Sequence, residues 1–141
     1  MQLIAGVDLW EGQVVRLVQG DFERRTAYGS WEEIGRRLWE ARVRRWHVVD
    51  LQGARAGYLV QKETLQALRQ AFSEVQMSLG GGIRSEADLL WALEQGFDWV
   101  VLGSVTLLEP ALVRSWIQAH GGQRFIIAAD SKGGRVALKG W

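Results

Sequence analysis

The sequence predicts an α/β fold of four βα units plus a fifth strand, which is half of a (β/α)8, or TIM, barrel with a parallel sheet. Three observations predict it. Short apolar runs alternate with amphipathic stretches along the whole chain, as in repeated βα units around a parallel sheet. The opening LIAGVDLWEGQVVRL and the closing FIIAADSKGGRVALKGW share one pattern: aligning Asp8 on Asp130 also aligns Gly12 with Gly134, Gln13 with Arg135 and Val14 with Val136. Each is a strand ending in Asp, a Gly-containing turn and a second short strand, and the 122-residue offset equals one set of four βα units. Finally, a closed barrel typically takes about 250 residues, whereas this chain has 141. The expectation is one half-barrel domain, residues 1–141, that stops just after a second half would begin.

The elements follow in order. Strands are expected at Leu3–Asp8, Arg45–Asp50, Val75–Gly80, Trp99–Gly103 and Phe125–Asp130, each a short apolar run. Helices are expected at Ser30–Ala41, Gln61–Phe72, Ser85–Gln95 and Glu109–Ala119, where apolar residues recur at i, i+3 and i+4. Ser30 with Glu33 and Ser85 with Asp88 have the capping-box form, the hydroxyl capping free N–H groups and the acid capping back. Gly96 and Gly121–Gly122 read as helix stops. Pro110 falls in a first helical turn, where its missing N–H costs nothing. Trp31, Trp39, Trp91 and Trp116 fall at helix-face or strand spacing and read as core packing.

Composition narrows the function. With 48% hydrophobic and 23% charged residues the chain is that of a globular protein. Seventeen Lys+Arg against 16 Asp+Glu leave a formal charge of +1, so no bulk field attracts nucleic acid or an anionic membrane. Any anion must be held by local geometry. Zero cysteines exclude a disulfide framework and thiolate metal sites and fit a cytoplasmic protein. No apolar run approaches the ~18 residues of a membrane span, and no leader is expected.

In a parallel βα array the functional groups gather at the C-terminal ends of the strands. There lie Asp8, Asp50, the run from Gly80 to Arg84, the run from Gly103 to Thr106, and Asp130. Asp8 and Asp130 end opposed strands, which suits one proton donor and one acceptor; alternatively each caps its own Asx-type turn. Asp50 is open to a role as a third acid, but the DLQG turn that follows it favours a structural one. In Gly80–Arg84, glycines let backbone N–H groups close on a phosphate, with a helix N-terminus and the Arg84 guanidinium beside them. Gly103 and Ser104 repeat that logic in the neighbouring loop; the alternative is tight turns only. Arg16, in the hairpin after strand one, either reaches a ligand or is solvated. His47, with apolar neighbours, reads as a satisfied core histidine rather than a ligand-contacting one, and with His120 remote from it no metal cluster is visible.

These residues carry a resemblance. VDL near the start, VVRLVQGD from Val14, HVVDLQGARAG from His47, LGGGIRS from Leu79, LGS from Leu102 and the closing AADSKGGRVALKGW together resemble the N-terminal half of the sugar-phosphate isomerase family of histidine biosynthesis. The resemblance covers the whole chain. It implies an Amadori rearrangement of a phosphoribosyl-formimino-aminoimidazole carboxamide ribonucleotide to its ribulosyl isomer, without metal or organic cofactor. Carried over, Asp8 is the general base and Asp130 the general acid that opens the ribose ring. Gly81, Gly82, Gly103 and Ser104 form one phosphate site with Arg84 close by, Arg16 contacts substrate, and Trp141 stacks on the imidazole. The sister cyclase family shares the duplicated barrel and both acids, but HVVDLQGA and the terminal GW resemble the isomerase. This chain departs from the family in reading Ala5-Gly6-Val7-Asp8 where Pro-Ala-Ile-Asp is usual, and in having Ser104 where Thr is usual. It also lacks the second half, with its second phosphate site. A phosphorylated small molecule is the expected partner, and a homodimer or higher oligomer of half-barrels the expected assembly. The rival expectation is a half-barrel that binds phosphorylated ligands and self-associates without turnover.

Overall fold

The computed structural model describes residues 2–129, 131–132 and 135–136. Among these, strands β1 (Ala5–Trp10), β4 (Arg45–Asp50), β5 (Gln76–Gly80), β6 (Trp99–Leu102) and β7 (Phe125–Ile127) pair in parallel in that order. β2 (Gln13–Val18) and β3 (Asp21–Ser30) extend the sheet antiparallel beyond β1. Helices α1 (Trp31–Glu40), α3 (Lys62–Ala71), α4 (Glu86–Glu94) and α6 (Pro110–His120) connect the parallel strands. This is the expected partial (β/α)8 barrel, with helix ends within one residue of those read from the sequence.

The core lies between the helices and the outer face of the sheet. Trp46, Val48, Met77, Leu79, Val100 and Leu102 come from the strands, and Leu65, Leu68, Leu89, Val113 and Trp116 from the helices. Each such large side chain contributes roughly 1.5–3 kcal/mol when fully buried. Trp31, Trp39 and Trp91 pack partly buried around this core. Among the described residues no helix is long and apolar enough to cross a membrane.

Four elements differ from expectation. Residues 21–30 form a strand whose side chains are mostly exposed, so no apolar pattern announces it. It is held by backbone pairing with β2 instead. The expected DLQG turn is the start of a short helix, α2 (Leu51–Ala56), capped by the Asp50 carboxylate on Gly53 N–H and closed by Gly57 in the left-handed region. A further short helix, α5 (Val105–Leu108), precedes α6. The first strand is shifted two residues along because its ladder with β4 begins at Ala5 opposite Trp46 and continues to Leu9, while Leu3 and Ile4 stand exposed. Both predicted Ser caps form, Ser30 accepting from Glu33 N–H and Ser85 from Asp88 N–H. The acids are engaged elsewhere: Glu33 pairs with Arg37 at 2.6 Å, and Asp88 with Lys62 at 2.8 Å, because a cation is the stronger partner for a carboxylate.

The internal repeat has a structural counterpart. In the first hairpin Leu9 faces Val14 and Trp10 faces Gln13. One offset of 122 residues later, β8 (Ser131–Lys132) pairs antiparallel with β9 (Arg135–Val136), Ser131 facing Val136 and Lys132 facing Arg135. The two hairpins share one register.

Candidate functional site

Strand alternation sets which residues meet at the inner face. On β4, Trp46, Val48 and Asp50 are buried on the helix side, which turns His47 and Val49 inward. On β1, Val7 and Leu9 are buried among the helices and Asp8 turns inward. At the C-terminal ends of the strands a cavity of about 540 Å³ opens. The structure brings Asp8, Arg16, Gly81, Gly82, Arg84, Gly103 and Ser104 around it. The tip of the β2–β3 hairpin, through Gln19, Gly20 and Phe22, forms one wall. Asp130 and Trp141, the other two sequence-derived candidates, lie outside the described residues.

The glycines differ in what they are for. Gly81 and Gly82 have φ of 96° and 86°, and their loop lies against the β4–α2 turn. A Cβ on Gly81 would overlap the Asp50 backbone carbonyl, and one on Gly82 would stand 2.6 Å from the carbonyl oxygens of Gly53 and Tyr58. Close packing of this loop therefore demands glycine whether or not an anion binds. Gly103 is the opposite case. Its φ lies outside the left-handed region and a Cβ there would meet nothing within 4 Å. Nothing in the fold of the described residues requires glycine at 103, and open space beside a backbone N–H is what an incoming oxyanion needs. Ser104, next along, makes no side-chain cap to α5, and Thr106 Oγ1 is buried without a hydrogen-bond partner among the described residues. At the N-terminus of α4, by contrast, Ser85 caps and Glu86 and Asp88 add negative charge. Arg84 passes over the C-terminal end of α2: a Cβ on Gly57 would be 3.0 Å from its Nη1, and the carbonyl end of a helix attracts a guanidinium.

Asp50 is structural, as read. Fully buried, its carboxylate accepts from Gly53 N–H at 2.9 Å, Val60 N–H at 2.7 Å, Gln61 N–H at 3.0 Å and Gln61 Nε2 at 2.9 Å. Gln61 extends the network to the first hairpin, donating to the Leu9 carbonyl and accepting from Gly12 N–H. The cavity wall carrying Arg16 is thereby anchored to the end of β4.

His47 departs from the core reading. It is partnered, its Nδ1 lying 2.9 Å from Ser78 Oγ, but it faces the cavity rather than the helices. Burial pushes the Asp8 carboxyl above its ordinary 3.8, an effect that His47 and Arg16 partly offset with positive charge. Burial likewise pushes the His47 imidazole below 6.5, which the Asp8 charge partly offsets. The signs on stability oppose each other. Asp8 favours the fold in its protonated form, so its contribution is full below pH 3.8 and is lost as pH rises through the folded value. His47 favours the fold in its neutral form, so its contribution is full above pH 6.5 and is lost as pH falls through the folded value. NMR titration is expected to place Asp8 above 3.8 and His47 below 6.5, and D8N to lower the His47 value further by removing the neighbouring anion. A His47 value that stays the same in D8N would show that the two groups do not interact. Among the described residues no three His, Asp or Glu side chains gather to hold a metal ion.

The model of a family described as "Histidine biosynthesis protein" matches residues 2–141. Similar relatives include proteins named 1-(5-phosphoribosyl)-5-((5-phosphoribosylamino)methylideneamino)imidazole-4-carboxamide isomerase. That of Herpetosiphon aurantiacus is 43% identical over 142 residues, covering 100% of this chain and 58% of the relative. The Sorangium cellulosum protein is 44% identical over 144 residues, covering 100% and 59%. The Lactiplantibacillus plantarum protein is 39% identical over 140 residues, covering 99% and 58%. The chain thus spans less than two thirds of these relatives and corresponds to their N-terminal part. On the family match and the full-length identity together, the chain belongs to the histidine biosynthesis protein family, as a partial (β/α)8 barrel.

Proposed function

We propose that this chain supplies the N-terminal half of the active site of an aldose–ketose isomerase of histidine biosynthesis, acting on a phosphoribosyl-formimino-aminoimidazole carboxamide ribonucleotide. The observation that carries the reading is the meeting of Asp8 with the Gly81–Arg84 and Gly103–Ser104 loops on one cavity, in a chain similar along its whole length to proteins named as that isomerase. Asp8 is the base that takes the C2 proton. A carboxylate raised above its ordinary value suits that role, since basicity rises with the pKa of the conjugate acid. Asp130 is the acid that opens the ribose ring, Arg16 contacts substrate and Trp141 stacks on the imidazole. The two loops hold one phosphate. The second phosphate, and the rest of the barrel, come from the part of the relatives that this chain does not span. The reaction takes place in the cytoplasm and uses no metal or organic cofactor.

A second reading, self-association of half-barrels around a phosphorylated ligand, is favoured by the sheet edges. The first hairpin covers β1 only at Leu9 and Trp10, so the ladder of residues 5–8 has no partner on that side among the described residues. At the other edge Ile126 and Ile127 are 38% and 47% exposed. Open ladders and exposed apolar residues are the features through which sheets associate. Sedimentation at micromolar concentration is expected to show a dimer or larger species; a stable monomer would remove this assembly.

The phosphate site is tested by titrating the chain with inorganic phosphate while following backbone amide signals. Shifts are expected at Gly81–Arg84 and Gly103–Thr106. Gly103→Ala is expected to weaken binding about tenfold, since a methyl occupies the anion's approach, while leaving stability within about 0.5 kcal/mol. Unmoved amides in both loops would remove the site.

A further inference from the structure

The inner face carries an imidazole that neither the phosphate site nor the proton transfer to Asp8 uses. The ladders set His47 opposite Gly6 on β1 and opposite Ser78 on β5. Asp8, two residues past Gly6, lies on the same face one step nearer the cavity mouth. The strands flanking His47 leave the ring open. Gly6 has nothing within 4 Å of where a Cβ would stand, and a Cβ on Gly80 would come within 3.4 Å of His47 Cε1. Glycine on both neighbours keeps the imidazole edge reachable from the cavity, which His47 lines.

The hydrogen bond to Ser78 decides which nitrogen carries the proton. Ser78 is 7% exposed, and among the described residues its hydroxyl has no partner other than His47 Nδ1 at 2.9 Å. A buried hydroxyl that donates to nothing costs about 1–3 kcal/mol. The tautomer that avoids this cost has Ser78 donating to a bare Nδ1 and the proton on Nε2. The same bond disfavours the imidazolium, whose Nδ1–H would leave the hydroxyl proton without an acceptor. Burial acts in the same direction. The ring is therefore a neutral donor, able to polarise an oxygen without cancelling the charge of the neighbouring base.

We propose that His47 is a ligand-contacting residue of this site: its Nε2–H, fixed in place by the Ser78 hydroxyl, donates a hydrogen bond to a sugar oxygen of the phosphorylated ligand beside Asp8. This rests on the phosphate-site reading above and adds to it the residue that recognises the sugar. Among the described residues the charged group that acts on His47 is Asp8 from β1, and Asp8 in turn feels Arg16 from β2.

The test uses the chain as it stands, with ribose phosphate and inorganic phosphate as probes. Both engage the two loops, but only ribose phosphate offers an oxygen to His47. His47→Phe and Ser78→Ala are each expected to weaken ribose phosphate about three- to tenfold, the worth of one neutral hydrogen bond, while inorganic phosphate binds as before and reports an intact fold. Nitrogen-detected NMR of the imidazole, assigned against His47→Phe, is expected to show Nε2–H in the unmodified chain and a tautomer mixture in Ser78→Ala. An Nδ1–H tautomer in the unmodified chain overturns the proposal. So does an unchanged ratio of ribose phosphate to phosphate affinity in both variants when phosphate binds normally. If inorganic phosphate binds to no variant, the phosphate-site reading falls and the sugar donor falls with it.

Discussion

Asp8→Asn is expected to lower isomerisation by about 10²–10⁴-fold or more without lowering the stability of the fold. The activity is best read in a full barrel, completed with the C-terminal part of the Herpetosiphon isomerase, because this chain spans 58% of that relative. Asparagine matches the carboxyl in shape but accepts no proton at neutral pH, so the loss falls on kcat, with KM little changed. The stability arm comes from the environment of Asp8 in this chain. Burial holds the carboxyl above 3.8, meaning that its charge is less comfortable in the fold than in the unfolded chain. A neutral amide removes that penalty at pH 7, and His47 and Arg16, which only partly offset it, lose little. The midpoint of thermal unfolding is therefore expected to stay level or rise. A variant that loses activity and unfolds together would show Asp8 to be a structural group. Near-normal turnover would remove it from the proton transfer.

Such an arrangement was legible in the sequence where the physics is local. Parallel strands flanked by helices read as short apolar runs, and their C-terminal ends carry the groups that line the cavity, so Asp8, Gly81 and Gly103 are found by position alone. The 122-residue repeat was likewise legible, and the shared hairpin register shows that it reflects backbone geometry as well as residue identity. What escaped has physical reasons. β3 presents mostly exposed side chains and is fixed by its ladder to β2, which no apolar period records. α2 is only six residues long, and what makes it a helix is the Asp50 cap and Gly57, signals that a turn would also show. His47 reads as a core residue in the sequence because its neighbours are apolar. A parallel strand buried on both faces carries no alternation to mark which side is the cavity, and the clue lay in phase: His47 is out of step with Trp46 and Val48 and in step with Val49.

Gly81→Ala is expected to cost more than about 4 kcal/mol, the range reserved for changes that a fold cannot absorb. Two independent costs combine. At φ 96° an alanine is strained wherever it sits, which by itself accounts for about 1–2 kcal/mol. The new methyl also overlaps the Asp50 carbonyl, an atom of the backbone rather than the end of a flexible side chain. Asp50 cannot move aside, because its carboxylate is held by four hydrogen bonds from Gly53, Val60 and Gln61, and Gln61 is tied in turn to Leu9 and Gly12. Relief of the overlap would thus have to pull the β5–α4 loop off the end of β4 and open the cavity at its glycine wall. For a chain of this size a loss of that order lowers the unfolding midpoint by roughly 10 °C or more. Gly103→Ala, one strand further along the same sheet, is the control: the same chemical change, with no positive φ and no neighbour within 4 Å, leaves the midpoint where it was. Thermal unfolding of both variants measures the difference directly. If Gly81→Ala unfolds with Gly103→Ala, the loop is free to shift away from the Asp50 carbonyl, and glycine at 81 is then held by the ligand rather than by packing.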